Sequence, residues 1–213
     1  MPTPLLELLE LAFAAACLGL ALLARPWRML AGAVGASLLT PLLASLVILP
    51  WLWALPSLQA MPLQLQWSGA SLVLLMLGWP LAVPVLLLVG VLTALISPMP
   101  WATAVSVTVW QGLLPATLAL LLGAALRRWV ATHPFVYVLG RGFLGTVLCL
   151  FIASALSQAV GHALPAVGDG LSLVARWLMA WGDGFMTGMI CAIFVAFRPQ
   201  WLATWSDRLY LQH

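Results

Sequence analysis

Apolar runs of about 20 residues, broken by short clusters of arginine, proline and tryptophan, fill the chain from end to end. At about 1.5 Å per residue each is the length of a helix that crosses a hydrocarbon core. The first covers residues 4–24 and stops at Arg25-Pro26-Trp27-Arg28. The second covers 29–55 with Pro41 and Pro50 inside it, and an uncharged polar connection follows over 56–66. A short third, 67–78, meets Trp79-Pro80, and the fourth continues from there to 97. Past Pro98-Met99-Pro100, the fifth covers 101–126, contains Pro115 and ends in Arg127-Arg128. The sixth covers 135–161, and the seventh covers 171–197 and ends abruptly at Arg198-Pro199.

Composition turns these runs into a fold class. Hydrophobic residues make up 64% of the 213 and charged residues 6%, with a mean hydropathy of +1.13. Soluble domains carry about a quarter charged residues, so the pattern predicts an all-α polytopic membrane protein, a single membrane domain over 1–213 with the lipid bilayer as its medium. No internal repeat or linker interrupts it. A formal charge of +3 without a single lysine implies no nucleic-acid partner. The arginines instead carry orientation, because cytoplasmic loops collect them. Pairs follow the first and fifth runs, and Arg198 follows the seventh. An even number of crossings must then separate these places, and merging the third run with the fourth would put Arg127-Arg128 on the wrong face. The prediction is about seven transmembrane helices, or six plus a re-entrant hairpin, N-out and C-in. After Pro199, Trp201, Trp205 and Leu209 alternate with Ser206, Asp207 and Arg208, so 199–213 reads as an interfacial amphipathic tail. Cys17, Cys149 and Cys191 lie in apolar runs without a CxxC spacing and read as buried thiols. The first run has no basic leader and carries Glu7 and Glu10, so it reads as a retained helix.

A charge near the bilayer centre costs about 2.5–3.5 kcal/mol on insertion scales, so each one asks for a reason. Glu7 and Glu10 share a face of the first run, roughly 5–9 Å from its outer end. Arg176 lies at a matching depth in the seventh, roughly 8 Å in, where an ion pair with the glutamates is expected. Asp183 follows two turns deeper on the same face, and Gly184 and Gly188 give that helix a small-xxx-small spacing. Gln111 in the fifth run and Gln66 at the head of the third complete the set. Together these residues converge on one outward-facing cavity, or else act as interhelical glue, each satisfying another. Arg141, between Gly140 and Gly142, reads as an inner anchor able to snorkel. His133, His162 and His213 share no helix face, while Met186, Met189 and Cys191 are soft ligands suited to Cu(I) or plain packing material. No nucleophile–base pair, paired-carboxylate site or Gly-rich phosphate loop is present. The chain therefore reads as a non-enzyme, and any energy for transport must come from separate subunits.

Three stretches carry a family resemblance. They are F-x-x-G-M at 185–189 with F-R-P-x-W-L-x-T-W-x-D-R-x-Y-L at 197–211, L-M-L-G-W-P-L at 75–81, and P-F-V-Y-V-L-G-R-G-F-L-G at 134–145. They resemble the permeases of bacterial energy-coupling-factor transporters, of the cobalt/nickel (CbiM-like) substrate-binding type. The resemblance implies a seven-helix, N-out subunit in the bacterial inner membrane. It would capture a transition-metal ion or other small cation and work with ATPase and coupling membrane subunits. The chain departs from that pattern twice. The family opens Met-His, whose amine and imidazole bind metal, whereas this chain opens Met1-Pro2, and Gln66 stands where the family has a second histidine. Stoichiometric cobalt or nickel is therefore not expected. Asp183, Gln111, Gln66, Glu10, Glu7 and Arg176 remain the substrate-binding candidates, with His162 the first metal ligand to test. A non-transporting scaffold or assembly factor on the same fold is the alternative.

Overall fold

Among the described residues, six helices are long and apolar enough to cross a membrane, with mean hydropathies between 1.6 and 2.4. A seventh is far too short. The computed structural model describes residues 4–58, 67–130, 133–162, 169–206 and 210, and all regular structure among them is helical. In chain order the helices are α1 Pro4–Leu23, α2 Gly32–Leu58, α3 Ala70–Leu77, α4 Trp79–Ile96, α5 Trp101–Trp129, α6 Val136–Ala159 and α7 Asp169–Phe197. Their outward positions, such as Leu20, Val47, Leu95, Leu121, Leu178 and Phe185, are exposed. A belt of that size needs hydrocarbon around it, and the chain is a multi-pass membrane protein.

The short α3 is the centre of the bundle. All eight of its residues are buried, and its roughly 12 Å spans less than half of a bilayer core. It packs against α2, α4 and α5 and touches α7. A glycine in the left-handed region brackets it at each end, Gly69 at φ 63° and Gly78 at φ 72°, where a Cβ would be strained. Gly78 closes the helix by donating its N–H to the Leu74 carbonyl at 2.8 Å, and its own carbonyl accepts the first bond of α4 from Ala82 at 2.9 Å.

Two further departures from the expected elements have local causes. The second run does not start at 29. Arg25 adopts φ 54° ahead of Pro26, Pro26–Leu30 forms a 3-10 turn, and α2 begins at Gly32. Inside α5 and α6 the helix widens into π turns at Thr108–Leu113 and Val136–Leu144. Pro115 accounts for the first, since it has no N–H to offer the Gln111 carbonyl four residues earlier.

Gly184 and Gly188 of α7 lie against Phe143 and Val147 of α6, closely enough that a Cβ on either would collide. The small-residue face is thus an internal seam. After α7 the chain turns at Pro199–Trp201 and comes back into the bundle. Leu202 and Tyr210 are buried there, and Tyr210 stacks on Trp205 at 4.7 Å between ring centroids. The amphipathic segment thus packs inward through part of its length, while Leu209 lies outside the described residues.

Candidate functional site

Every helix leaves N–H groups unpaired at its start and carbonyls unpaired at its end, and those of α3 fall inside the bundle. At its head, the Asp183 carboxylate of α7, 2% exposed, accepts the Ser68 N–H at 2.7 Å and the Gly69 N–H at 3.3 Å through Oδ2. Oδ1 accepts the hydroxyl of Thr187, one turn along α7, at 3.3 Å. The Trp67 indole lies near the same carboxylate without the geometry of a hydrogen bond. Ser68 is fully engaged. Its carbonyl accepts Trp53 Nε1 at 3.0 Å, and its hydroxyl donates to the Gln111 carbonyl at 2.5 Å and accepts the Ala70 N–H at 3.1 Å. The wide turn in α5 thus has a use: the carbonyl that Pro115 cannot serve is the one Ser68 takes. Gly112, next in the same turn, leaves room for the Trp53 ring.

The tail of α3 is closed by the returning segment. Ala203 N–H donates to the Met76 carbonyl at 2.9 Å, and Thr204 donates to the Leu75 carbonyl through N–H at 3.3 Å and hydroxyl at 2.9 Å. The Thr204 hydroxyl also bonds the Tyr137 hydroxyl at 2.7 Å.

A second polar centre sits at the other side of the π turn. Glu10, 3% exposed, accepts Trp110 Nε1 at 2.6 Å and the Ser106 hydroxyl at 3.2 Å, and pairs with His162 Nε2 at 2.9 Å. The His162 carbonyl accepts Arg176 Nη2, and Gln158 Oε1 accepts both Arg176 Nε at 3.1 Å and the Ser172 hydroxyl at 2.9 Å. The expected glutamate–Arg176 ion pair does not form. Arg176 reaches α1 only indirectly, through His162.

The candidate residues therefore divide. Asp183 and Gln111 meet at the head of α3, Gln111 through its backbone; Glu10, His162 and Arg176 meet in the second centre. Trp110 and Gln111, adjacent in the wide turn, join the two. Glu7 is half-buried and in neither network. Gln66 lies outside the described residues. Met186 and Met189 are exposed on α7 while Cys191 is buried against Gly142, so these soft atoms do not converge. Among the described residues, no three His, Cys, Asp or Glu side chains gather to hold a metal. Ser68, Trp53, Trp110, Thr187 and Thr204 are additions the charged residues did not point to. The nearest signals were a serine two residues before a short, largely apolar helix and a proline four residues after Gln111.

These features define a class: a multi-pass helical membrane protein built round a buried half-helix closed at both ends by distant parts of the chain. No family model, curated protein or solved structure matches the chain.

Proposed function

We propose that the chain is the substrate-capturing membrane subunit of an energy-coupling-factor type transporter in the bacterial inner membrane, driven by separate ATPase and coupling membrane subunits. The observation that carries this reading is the head of α3. A half-helix begins beside a buried carboxylate at the midpoint of a spanning helix, and broken helices of this kind are how transporters place ion and solute sites at mid-membrane. Asp183 with the Gln111 carbonyl offers hard oxygen donors, which suit a small cation more than a soft one. A cation arriving at Asp183 would compete with the Ser68 and Gly69 amides for the carboxylate. That competition would loosen α3 at its head, and the Ala203/Thr204 bonds at its tail would carry the change to the arginine-rich end where partners dock. In this reading the chain crosses seven times with α3 counted as one crossing, N-out and C-in.

The test is accumulation of a panel of small cations, metals included, by cells expressing the chain with its partner subunits. One cation should accumulate above the vector control, and Asp183→Asn should abolish the gain at equal protein abundance. If no cation accumulates, or Asp183→Asn transports normally, the capture reading fails. The alternative, a membrane scaffold that assists assembly of an envelope complex, draws on a different observation. Each Asp183 oxygen already has protein donors, and one Glu10 oxygen has three partners, as glue would.

A further inference from the structure

Outside both polar centres, one buried charge keeps hydrogen-bond donors that no described residue meets. Arg141 lies in the wide turn of α6, is 7% exposed, and finds no acceptor for Nε or Nη1. A guanidinium is always charged and is all donor, so unmet donors in an interior call for an acceptor from elsewhere. The seat is built for it. A Cβ on Gly123 of α5 would stand 2.6 Å from Nη2 and 2.9 Å from Cζ, so the guanidinium lies directly on the glycine and a larger residue there would displace it. On its other side Cζ lies 5.3 Å from the Tyr137 ring centroid, and Thr204 fixes that ring through its hydroxyl. Held this way, Arg141 does not snorkel out. A small cleft opens beside it, walled by Leu126, Val130, Val136, Tyr137 and Tyr210, with Arg127 at the rim. Arg127 is exposed and donates Nε to the Gly123 carbonyl at 3.3 Å, its one bond to the described residues. Among the described lining residues there is no carboxylate.

We propose that this cleft binds a phosphoryl anion, with Arg141 as its floor and Arg127 at its mouth. Two guanidiniums on one cleft match the geometry of phosphate oxygens. The apolar walls and the position at the arginine-rich end suit the phosphodiester of an anionic phospholipid. Free phosphate would use the same two groups.

The full chain should be compared with Arg141→Met and Arg127→Gln. In nanodiscs of phosphatidylcholine with a minor fraction of phosphatidylglycerol, native mass spectrometry should find phosphatidylglycerol retained preferentially by the wild type. Retention should fall about tenfold or more in each variant, as expected on loss of a charge-assisted hydrogen bond. In lipid-free detergent, inorganic phosphate is titrated against melting temperature. A rise in the wild type that Arg141→Met loses, without lipid preference, assigns the cleft to a free anion. Should Arg141→Met fail to fold, Arg127→Gln carries both arms. Wild type and variants holding phosphatidylglycerol and phosphate equally, within about twofold, would overturn the proposal.

Discussion

Asp183 reaches across the bundle to hold two consecutive backbone amides, and the cost of losing it depends on what replaces it. Leucine strands both N–H groups in the interior at about 1–3 kcal/mol each, so Asp183→Leu should destabilise the protein by roughly 2–6 kcal/mol. Asparagine keeps an acceptor oxygen and should cost less than half as much. Unfolding in mixed detergent micelles measures both, and equal losses would show that the charge, rather than its hydrogen bonds, holds α3. Gly123 makes a second residue-scale test. Gly123→Ala drives a methyl into the Arg141 guanidinium and should cost about 1–3 kcal/mol. In an Arg141→Met background most of that cost should vanish, and a coupling below about 0.5 kcal/mol in the double-mutant cycle would contradict the seat described for Arg141. At this scale the sequence was half legible. Asp183, Glu10 and Arg176 stand out as charges in apolar runs, but most of their partners do not. For Asp183 and Arg176 these include the backbone amides of Ser68 and Gly69 and the backbone oxygen of His162, which have no letter of their own. Glu10 takes side chains, but Trp110 and Ser106 are ordinary letters in an apolar run, and only His162 stood out.

Breakers divide the chain into elements well, because proline, glycine and arginine act locally, and the six long helices follow from them. The details that form the centre are set by groups far away. The third run was legible as short, yet its helix starts only at Ala70, because Ser68 and Gly69 are turned toward a carboxylate on α7. Pro115 was visible inside the fifth run, but whether a proline kinks a helix or widens it depends on what takes the freed carbonyl. Here that is Ser68, 43 residues earlier. This leads to a test with an unusual sign. Replacing a mid-helix proline by alanine ordinarily stabilises a helix. Pro115→Ala should instead lower stability by about 1–3 kcal/mol, because a restored N–H competes with Ser68 for Gln111 and turns Trp110 from Glu10. A higher melting temperature for Pro115→Ala would show that the wide turn is incidental.

For the molecule as a whole, the bonds from Ser37 to Gln200 and from Tyr137 to Thr204 gather Arg25, Arg28, Arg127, Arg128 and Arg198 at one end. Reporter fusions after Arg28, after Arg128 and at the C-terminus should therefore all read cytoplasmic, and a fusion near Asp169 should read on the opposite side. A split among the first three would remove α3 from the count of crossings. The closure of α3 also has a consequence in time. Ser68 is translated 115 residues before Asp183, and Leu75 129 residues before Thr204. At about 5–20 residues per second, the first gap alone lasts roughly 6–23 s. Throughout it, residues 67–77 are too short to be left in lipid as a spanning helix, and the groups that will close both their ends do not yet exist. The ribosome thus delivers an open bundle, and a later stretch of the chain seals it from both sides.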